Sequence, residues 1–489
     1  MSFVEKIDRF LVGRIAFPAS NYLLNRKNIL GNYRKLLLAE QYSKEALREV
    51  QLHKLVAIVR HIYKWVPFYT QRFKEIGLAP EDIKKLEDAR WIPPLIREDL
   101  IEHRLDLVDF RYRQSALDAD KAAHAGGLPI SAALFRRHWL IRNGSSGSTG
   151  TPTVFYEDGS TTALNWAHEL RLKHWFGLSP GAKEARMSAT STEYAGKSKL
   201  PSAREWLWNQ MILPGYFLSD REYELSLRKI QKFRPRILWG PTSALTGLAQ
   251  YVQRRNEDIS AFRPDLVISR AAPVYAHEKK LLTRVFGCPV TNIYGSRELG
   301  HIAMDCPHGS THLNQENYLV ELEDVANDRA GAGQGNILVT PLFQSPMAFF
   351  RYRIGDIAEL GGSDCSCGRP QTVVKKIMGR AGEVFKLQDG RLIEPNFWCI
   401  AFEGNRLSQN VERFQVIYRR NNCIRFRIVR RPGYSAETEA QLQKFLEQNF
   451  PPSMRFEFEY VQEIKPQPSG KYPVVVNEIE QPERQLVEV

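Results

Sequence analysis

Up to about residue 105, apolar side chains recur at the three-to-four-residue spacing of amphipathic helices. In the first of these segments, basic residues separate the apolar positions, which are Phe3, Ile7, Phe10, Leu11 and Ile15. We expect this basic amphipathic helix to pack on the protein surface, and weak contact with a membrane surface is the alternative. Pro67 interrupts the helical pattern that begins at Leu52.

From Trp139 onward, short apolar runs alternate with amphipathic stretches. Three such runs, RILWG, DLVIS and PVTNIYG, are separated by segments with helical periodicity. This alternation predicts parallel strands joined by crossover helices. The later segments GNILVTPLF, MAFFRYRIGDIAEL and EVFKLQDGRLI contain short paired runs with glycine turns, and we expect antiparallel sheet there.

A third pattern follows Gly379, where FQVIYRR, CIRFRIVRR, a helical stretch and RFEFEYV succeed one another. This order of strand, strand, helix and strand predicts a small α+β domain. We therefore predict an α/β protein with two domains. Residues 1–378 form a large, multi-layer N-terminal domain with a mostly parallel sheet, a block of antiparallel sheet and a helical entry segment. Residues 379–489 form a small, mobile C-terminal domain.

The composition narrows the class of protein. The chain has 489 residues, of which 43% are hydrophobic and 25% are charged, as in ordinary globular proteins. No apolar run approaches the ~20 residues of a membrane-spanning helix, and no signal-peptide pattern is present, so we expect a cytoplasmic protein. The net charge of +13 favours polyanionic partners, but the scattered basic residues argue against nucleic-acid binding.

A segment rich in glycine, serine and threonine gives the first indication of chemistry. It runs from Asn143 to Pro152 as NGSSGSTGTP, directly after the strand-like HWLIRN. Glycines allow backbone N–H groups to converge on an anion, and hydroxyl groups add donors, so the segment suits a triphosphate. It lacks the lysine of a Walker A motif. A flexible linker of the same composition is the alternative interpretation.

Three further motifs contain aromatic and charged groups that nucleotide chemistry requires. Tyr294 begins the motif YGSRE, which ends in Glu298 and follows the strand-like VTNI. This position is the carboxyl end of a strand, where open α/β sheets bind ligands. Asp356 follows a glycine in YRIGD, and Lys471 ends the motif PSGK near the C-terminus.

In this order, the four motifs resemble those of the adenylate-forming superfamily of acyl-CoA synthetases, luciferases and peptide-synthetase adenylation domains. The resemblance extends over most of the chain. It implies a phosphate-binding loop that contains Ser145, Ser146, Gly147, Ser148, Thr149, Gly150 and Thr151. It also implies that Tyr294 lies against the adenine of ATP, with Gly295 and Ser296 beside it in the nucleotide site.

The same resemblance implies roles for four charged residues. Glu298 helps to hold Mg²⁺, and Asp356 binds the ribose hydroxyl groups. Arg380 lies at the junction of the two domains and contributes to the nucleotide site, and Lys471 is the lysine required for adenylation.

Within the superfamily, the chain most resembles the phenylacetate-CoA ligase group and its capsule-biosynthesis-associated relatives. The segments WVPFYTQRF, IPPLIREDL and TNIYGSRELG carry this resemblance. The chain departs from the group because it has no acidic residue near Ala272 and no hinge Asp or Lys near Gly382. The first departure argues against an aryl-acetate substrate. At the second position, we expect Gly382 and its neighbours to act as the hinge.

The chemistry of adenylation explains these residue types. When a carboxylate attacks the α-phosphorus of ATP, negative charge builds on the phosphates and on the departing pyrophosphate. Mg²⁺, a lysine ammonium group and N–H donors stabilise that charge, and Lys471 is the expected cation. Transfer of the acyl group to a thiol does not need this cation. We therefore expect the small domain to move Lys471 away between the two half-reactions.

Cysteines and histidines on two turn-rich segments predict a second site. The segments CPHGSTH and CSCGR supply Cys306, His312, Cys365 and Cys367, with His308 as an alternate ligand. Thiolate and imidazole are ligands that Zn²⁺ prefers, and four protein ligands leave no open position. We therefore expect a structural zinc site, and unliganded reduced thiols are the alternative.

Two strand ends are candidates for the acyl pocket. Trp239 and Gly240 follow the run RIL, and Ser269 and Ala271 follow the run LVI. Residues from either strand end could line the pocket, because both lie near the expected nucleotide site. For Trp239, a place in the hydrophobic core is an equally good interpretation.

We therefore predict an ATP-dependent ligase that activates a carboxylic acid as acyl-AMP and transfers the acyl group to a thiol, with coenzyme A as the preferred acceptor. One alternative replaces coenzyme A by a carrier-protein thiol or an amine, in polysaccharide or natural-product assembly. A second alternative is a non-catalytic binding protein of the same fold. The expected ligands are ATP, Mg²⁺, a small-molecule carboxylic acid, coenzyme A and structural Zn²⁺. A dimer is compatible with the sequence.

Overall fold

The computed structural model of the protein describes residues 28–124, 140–145, 153–190, 203–216, 218–260, 262–323, 333–361, 365–380, 383–386, 392–393, 397–398, 410–419, 422–465 and 474–478. The chain divides into two compact units. The larger unit is drawn from Met1–Leu322, Ile337–Ile354 and Leu360–Lys375. The smaller unit is drawn from Glu323–Asn336, Gly355–Glu359 and Lys376–Val489. The predicted domain limits at residues 378 and 379 stay a prediction.

Helices account for much of the larger unit. They are α1 (Ile29–Ala39), α2 (Lys44–Trp65), α3 (Pro67–Ile76), α4 (Arg97–Glu102), α5 (Arg113–His124), α6 (Gly159–Trp175), α7 (Ala203–Leu207), α8 (Asp220–Phe233), α9 (Thr242–Arg255) and α10 (Ala276–Phe286). Short 3₁₀-helices occupy Pro80–Asp82, Leu86–Trp91 and Phe110–Tyr112.

Local sequence explains where several of these helices begin and end. The Ser43 hydroxyl caps α2 by accepting a hydrogen bond from the Ala46 backbone N–H. Pro67 then separates α2 from α3, as predicted, because proline fits the first turn of a helix but not its interior. The predicted amphipathic helix from Phe3 to Ile15 lies outside the described residues. In the part of the chain that is described, no helix is long and apolar enough to cross a membrane.

The strands of the main sheet are β3 (Glu184–Thr190), β4 (Gln210–Tyr216), β5 (Ile237–Pro241), β6 (Leu266–Arg270), β7 (Val290–Ser296), β8 (Gly300–Asp305), β9 (Thr311–Leu313), β10 (Tyr318–Glu323), β11 (Gln334–Pro341), β12 (Tyr352–Leu360) and β13 (Val373–Arg380). Their order in this 11-stranded sheet is β10–β11–β12–β13–β9–β8–β7–β6–β5–β3–β4. Before it in the chain, β1 (Ile141–Ser145) and β2 (Thr153–Glu157) form an antiparallel pair.

The central part of the sheet is parallel. Strands β4, β3, β5, β6 and β7 pair in parallel, and α8, α9 and α10 lie between successive strands in the chain. The predicted alternation of parallel strands and helices is therefore confirmed. Because the carboxyl ends of parallel strands meet at one edge, the ends of β3, β5, β6 and β7 lie at the same edge of the sheet.

The sheet becomes antiparallel beyond β7. Strand β8 pairs antiparallel with β7, β9 with β8, and β13 with β9. The segment EVFKLQDGRLI supplies a separate antiparallel pair, β14 (Phe385–Lys386) and β15 (Leu392–Ile393), in line with the prediction. In MAFFRYRIGDIAEL the strand begins only at Tyr352. The reason is that Arg351 has a left-handed backbone with φ 49, which interrupts an extended conformation.

Two apolar layers cover the faces of the parallel strands. On one face, buried side chains of the crossover helices, among them Leu227, Leu248 and Phe286, pack against the sheet residue Val267. On the other face, Leu172 and Trp175 of α6 pack with Ile237, Trp239 and Ile268. Full burial of each such side chain contributes roughly 1.5–3 kcal/mol, so both layers stabilise the strands whose ends form the candidate site.

The smaller unit contains β16 (Val411–Arg419), β17 (Cys423–Arg430), α11 (Ala436–Asn449), β18 (Arg455–Tyr460) and β19 (Val475–Asn477). Its sheet has the order β18–β17–β16–β19. The predicted sequence of strand, strand, helix and strand is confirmed, and β19 adds a further strand. Trp398 and Phe426 are fully buried between this sheet and Leu446 of α11. The α/β fold class, with a large mixed sheet and a small α+β sheet, is as predicted.

Candidate functional site

The motif YGSRE lies at the carboxyl end of β7 and in the turn that follows. Tyr294, Gly295 and Ser296 are the last residues of the strand, and Glu298 lies half-buried in the turn before β8. The Ser296 hydroxyl accepts a hydrogen bond from the Leu299 backbone N–H at 3.2 Å, which holds the turn closed. The predicted position of this motif at a strand end is therefore confirmed.

Gly295 is required by the tight contact between β7 and β8. The two strands are antiparallel, with a register irregularity between Tyr294 and Gly295. A Cβ atom at Gly295 would overlap the backbone carbonyl oxygen of Gly300. The close approach of the two backbones therefore depends on glycine at this position.

The candidate phosphate loop lies between β1 and β2 in the chain. Ser145 is the last residue of β1 and pairs with Thr153, the first residue of β2. β1 thus continues beyond the predicted strand HWLIRN and includes the first residues of the glycine-rich segment. The side-chain amide of Asn143 donates a hydrogen bond to the Glu157 carboxylate at 2.7 Å. The other predicted loop residues lie outside the described residues: Ser146, Gly147, Ser148, Thr149, Gly150 and Thr151.

Asp356 and Arg380 form an ion pair within the smaller unit. Nε of Arg380 lies 3.3 Å from Oδ1 of Asp356, and the carboxylate is the more buried partner. Gly355, directly before Asp356, has a left-handed backbone with φ 82, which glycine adopts readily. Both residues were predicted from their motifs, whereas their pairing has no signal in the local sequence. The predicted adenylation lysine, Lys471, and the hinge residue, Gly382, lie outside the described residues.

The candidate acyl-pocket residues lie at the ends of β5 and β6. Trp239 is buried within the apolar layer against α6, so the core interpretation of this residue holds. Gly240 packs closely on β3, because a Cβ atom there would lie 3.0 Å from Cβ of Met187. The buried Ser269 hydroxyl contacts the Thr242 hydroxyl at 2.8 Å. Ala271 has a left-handed backbone with φ 71, an uncommon conformation for a residue other than glycine.

A buried network of charges joins α6 to the first half of β3. Glu169 and Lys173 on α6 face Glu184 and Arg186 on β3. Lys173 contacts Glu184 at 3.0 Å, Arg186 contacts Glu184 at 3.0 Å and also contacts Glu169, and Nε2 of His301 on β8 lies 3.3 Å from Glu169. Burial alone would raise the pKa of Glu169, but Arg186, His301 and Lys173 lower it below its usual range. Glu169 is therefore ionised.

No local sequence pattern predicts this network. Its members are separated along the chain, and single charged residues on an amphipathic helix are usually solvated. The sequence of α6 contains one indication of the network. Charged residues stand next to apolar ones along the helix, so some of the charges must lie on a buried face.

Three cysteines and one histidine form a cluster suited to a metal ion. The ligand atoms of Cys306, His312, Cys365 and Cys367 all lie within 4.8 Å of one another. The sulfur atoms of Cys306 and Cys365 are 3.7 Å apart. A tetrahedral zinc site with Zn–S bonds of about 2.3 Å requires sulfur atoms separated by roughly 3.7 Å, so the spacing fits. The predicted four ligands are thus brought together.

A hydrogen bond next to the cluster orients His312 for metal binding. Nδ1 of His312 donates a hydrogen bond to the Gln371 carbonyl oxygen at 3.1 Å, leaving Nε2 only 3.3 Å from Sγ of Cys367. A hydrogen bond of this kind fixes the ring and the tautomer of a metal-binding histidine. The alternate ligand His308 is not in the cluster, because its Nδ1 contacts the Ser366 hydroxyl at 2.8 Å.

Comparison with known proteins agrees with these features. Residues 387–478 match the family model of the CapK C-terminal domain. The chain is 23% identical to Protein CapK of Staphylococcus aureus over 447 residues, which cover 88% of this chain and 90% of that protein. It is 23% identical to a phenylacetate-coenzyme A ligase of Thermus thermophilus over 397 residues, which cover 79% of this chain and 81% of the ligase.

The fold is also similar to that of a solved ligase structure. A crystal structure of 2-hydroxyisobutyryl-CoA ligase in the postadenylation state, in complex with R3-HIB-AMP, matches with a TM-score of 0.67 and 19% identity over 90% of this chain and 91% of the other. The chain is therefore a distant relative, at about 23% identity, of proteins of the adenylate-forming superfamily, in the group that contains phenylacetate-CoA ligases and CapK. The resemblance inferred from the motifs is confirmed.

Replacement of Gly295 tests the close approach of β7 and β8. We expect Gly295→Ala to lower the melting temperature, because the added Cβ must push the Gly300 carbonyl aside at a cost of roughly 1–3 kcal/mol. Gly144→Ala is the matched control, since a Cβ atom there would lie 3.6 Å from the Thr153 carbonyl oxygen, an ordinary contact. Equal melting temperatures for both variants would show that the turn tolerates a side chain at Gly295.

The cysteine and histidine cluster predicts about one zinc ion per chain by elemental analysis. Changing both Cys365 and Cys367 to Ser should remove the zinc and lower the melting temperature, because metal binding is coupled to folding. The control is the double variant of Cys288 and Cys423, two buried cysteines outside the cluster, which should keep its zinc. A metal-free wild type that is as stable as a zinc-loaded sample would contradict the prediction.

Proposed function

We propose that the protein uses MgATP to activate a carboxylic acid as acyl-AMP and then transfers the acyl group to a thiol, with coenzyme A as the preferred acceptor. The observation that supports this most is the position of Tyr294 and Glu298. An aromatic ring and a carboxylate at the carboxyl edge of the parallel strands suit a nucleotide with its magnesium ion. The similarity of the chain to ligases of the adenylate-forming superfamily supports the same reaction.

In this proposal the phosphates of ATP bind between β1 and β2. The loop there contains Ser145, Ser146, Gly147, Ser148, Thr149, Gly150 and Thr151, whose N–H and hydroxyl groups are donors for phosphate oxygens. Tyr294 lies against adenine, with Gly295 and Ser296 beside it. Glu298 helps to hold Mg²⁺, which would neutralise charge on the phosphates and on the departing pyrophosphate.

The smaller unit contributes Asp356, Arg380 and Lys471. We assign the ribose hydroxyl groups to Asp356, because a carboxylate is a strong acceptor for them. Its ion pair with Arg380 orients the carboxylate. Lys471 supplies the ammonium group that stabilises pyrophosphate as it leaves, and Gly382 is the hinge that allows the lysine to move away.

The names of two relatives support coenzyme A as the acceptor. A phenylacetate-coenzyme A ligase and a 2-hydroxyisobutyryl-CoA ligase both transfer to coenzyme A by name, which favours this thiol here. A carrier-protein thiol or an amine is the alternative, and the mass of the acylated product separates these acceptors. The cluster of Cys306, His312, Cys365 and Cys367 would hold a structural zinc ion that joins β8, β9 and the loop before β13.

Exchange of radioactive pyrophosphate into ATP tests the first half-reaction. We expect exchange only when an accepted acid is present, because reversal of adenylation regenerates ATP from acyl-AMP. A broad panel of acids that all fail, with ATP still binding to the protein, would favour the non-catalytic alternative.

Lys471→Ala separates the two half-reactions. We expect acyl-AMP formation to fall by on the order of 10²–10³, because the departing pyrophosphate loses its cation. Transfer from supplied acyl-AMP to the thiol should stay near the wild-type rate. Lys465→Ala, at an exposed lysine of the same unit, is the control and should change neither rate. Equal losses in both half-reactions of Lys471→Ala would refute the assigned role.

Gly382→Pro tests the hinge. Proline fixes the backbone angle φ, so the smaller unit should be held in whichever orientation the new residue permits. We expect one half-reaction to fall far more than the other, measured as pyrophosphate exchange against thioester formation. Gly382→Ala, which keeps more backbone freedom, is the control. If Gly382→Pro retains wild-type rates in both half-reactions, the hinge lies elsewhere.

A further inference from the structure

The turn that carries Glu298 ends against the helix α6. Gly300 closes this turn as the first residue of β8, and its backbone is left-handed with φ 78. A Cβ atom at Gly300 would overlap the side-chain amide of Asn165, which lies on α6. Glycine at this position therefore allows α6 to lie directly against the backbone of β8.

The Asn165 side chain also binds this backbone. Its Oδ1 accepts a hydrogen bond from the His301 backbone N–H at 3.3 Å. One turn further along α6, Oε1 of Glu169 lies 3.3 Å from Nε2 of the His301 ring. Residues four apart lie on the same face of a helix, so Asn165 and Glu169 together hold the start of β8.

Side chains also fix the residue before Gly300. The Leu299 backbone N–H donates a hydrogen bond to the Ser296 hydroxyl at 3.2 Å, and its carbonyl oxygen accepts one from the Tyr318 hydroxyl at 2.5 Å. Leu299 itself is buried. Glu298 comes directly before this fixed segment, and its own side chain is only partly buried. The position of the Glu298 carboxylate therefore depends on how the following residues are held.

Helix α6 also connects this turn to the proposed phosphate loop. The loop leads into β2, and only Asp158 separates the end of β2 from the start of α6. The Asp158 carboxylate caps the helix by accepting a hydrogen bond from the Thr161 backbone N–H at 2.9 Å. The helix is therefore joined tightly to β2. The contact of Asn165 with β8 thus relates the two parts of the proposed ATP site to each other.

We propose that Asn165 is a positioning residue for Glu298 in the activation of the acid. The inference rests on the proposed adenylation, in which Glu298 helps to hold Mg²⁺. A metal ligand is oriented by the groups behind it, and loss of such a group typically lowers metal affinity or activity by about 10–100-fold. Asn165 provides this support through the backbone of Gly300 and His301 rather than by touching the substrates.

Asn165→Ala in the full-length protein tests this role. Pyrophosphate exchange should fall by about 10–100-fold and require a higher concentration of Mg²⁺, because Glu298 is no longer held in place. Transfer from supplied acyl-AMP to the thiol should stay near the wild-type rate. Thr162→Ala is the matched control, since it removes a hydrogen bond to the Asp158 carbonyl oxygen in the same helix and should change neither rate. Equal losses in both half-reactions of Asn165→Ala, or none, would overturn the inference.

A double variant shows whether Asn165 acts through Glu298. Glu298→Gln keeps the size of the side chain and removes its charge, so exchange should already be slow in this background. Adding Asn165→Ala to Glu298→Gln should then reduce exchange by only about twofold or less, because residues that act as a unit are not additive. If the two reductions multiply, Asn165 acts independently of Glu298, and the proposal is contradicted.

A further variant keeps the test decisive if Asn165→Ala does not fold. Asn165→Leu keeps a side chain of similar size and loses the acceptor for the His301 N–H, so the same selective loss of exchange is expected. Wild-type exchange in a folded Asn165→Leu variant would contradict the positioning role alone. Failure of every acid to support exchange by the wild type would instead contradict the proposed adenylation itself.

Discussion

The candidate site depends on buried ion pairs between α6 and β3. Glu169 and Lys173 on the helix and Arg186 on β3 are each exposed by no more than 7% at their side chains. Burying one such charge alone would cost several kcal/mol, so each member requires the others. Removal of one partner typically costs 3–5 kcal/mol, because it leaves an uncompensated charge in the interior. The network therefore specifies one position of α6 on β3 and β8.

The ion-pair network also supports side chains on the neighbouring strands. Arg186 is held by two carboxylates, and its guanidinium group in turn supports the ring of Trp239. Trp239 supports Arg270 on the next strand. His301 joins the network from β8, directly after the turn that carries Glu298. The proposed acyl and nucleotide positions are thus supported by one connected set of side chains, which gives a rigid base for substrates that must meet in a defined geometry.

Local patterns were sufficient to predict most of the fold. Alternating apolar runs and amphipathic segments predicted β5, β6 and β7 with their crossover helices, and the change after Gly379 predicted the strands of the smaller unit. The metal cluster was also predictable, because cysteine and histidine are informative by residue type alone. Strand β19 was missed, since three residues are too few to show a period. Pairings between distant residues were missed as well, because Asp356 with Arg380, and Glu169 with His301, have no local pattern.

The central claim is that the acid is joined to AMP before it reaches the thiol. It is tested most directly with an acid whose carboxylate carries a heavy isotope of oxygen. If the carboxylate attacks the α-phosphorus, one labelled oxygen must remain on that phosphorus when the thiol takes the acyl group. We therefore expect mass spectrometry to find one heavy oxygen in the AMP product and none in pyrophosphate. Unlabelled AMP, or label in inorganic phosphate, would contradict an acyl-AMP intermediate and with it the proposed function.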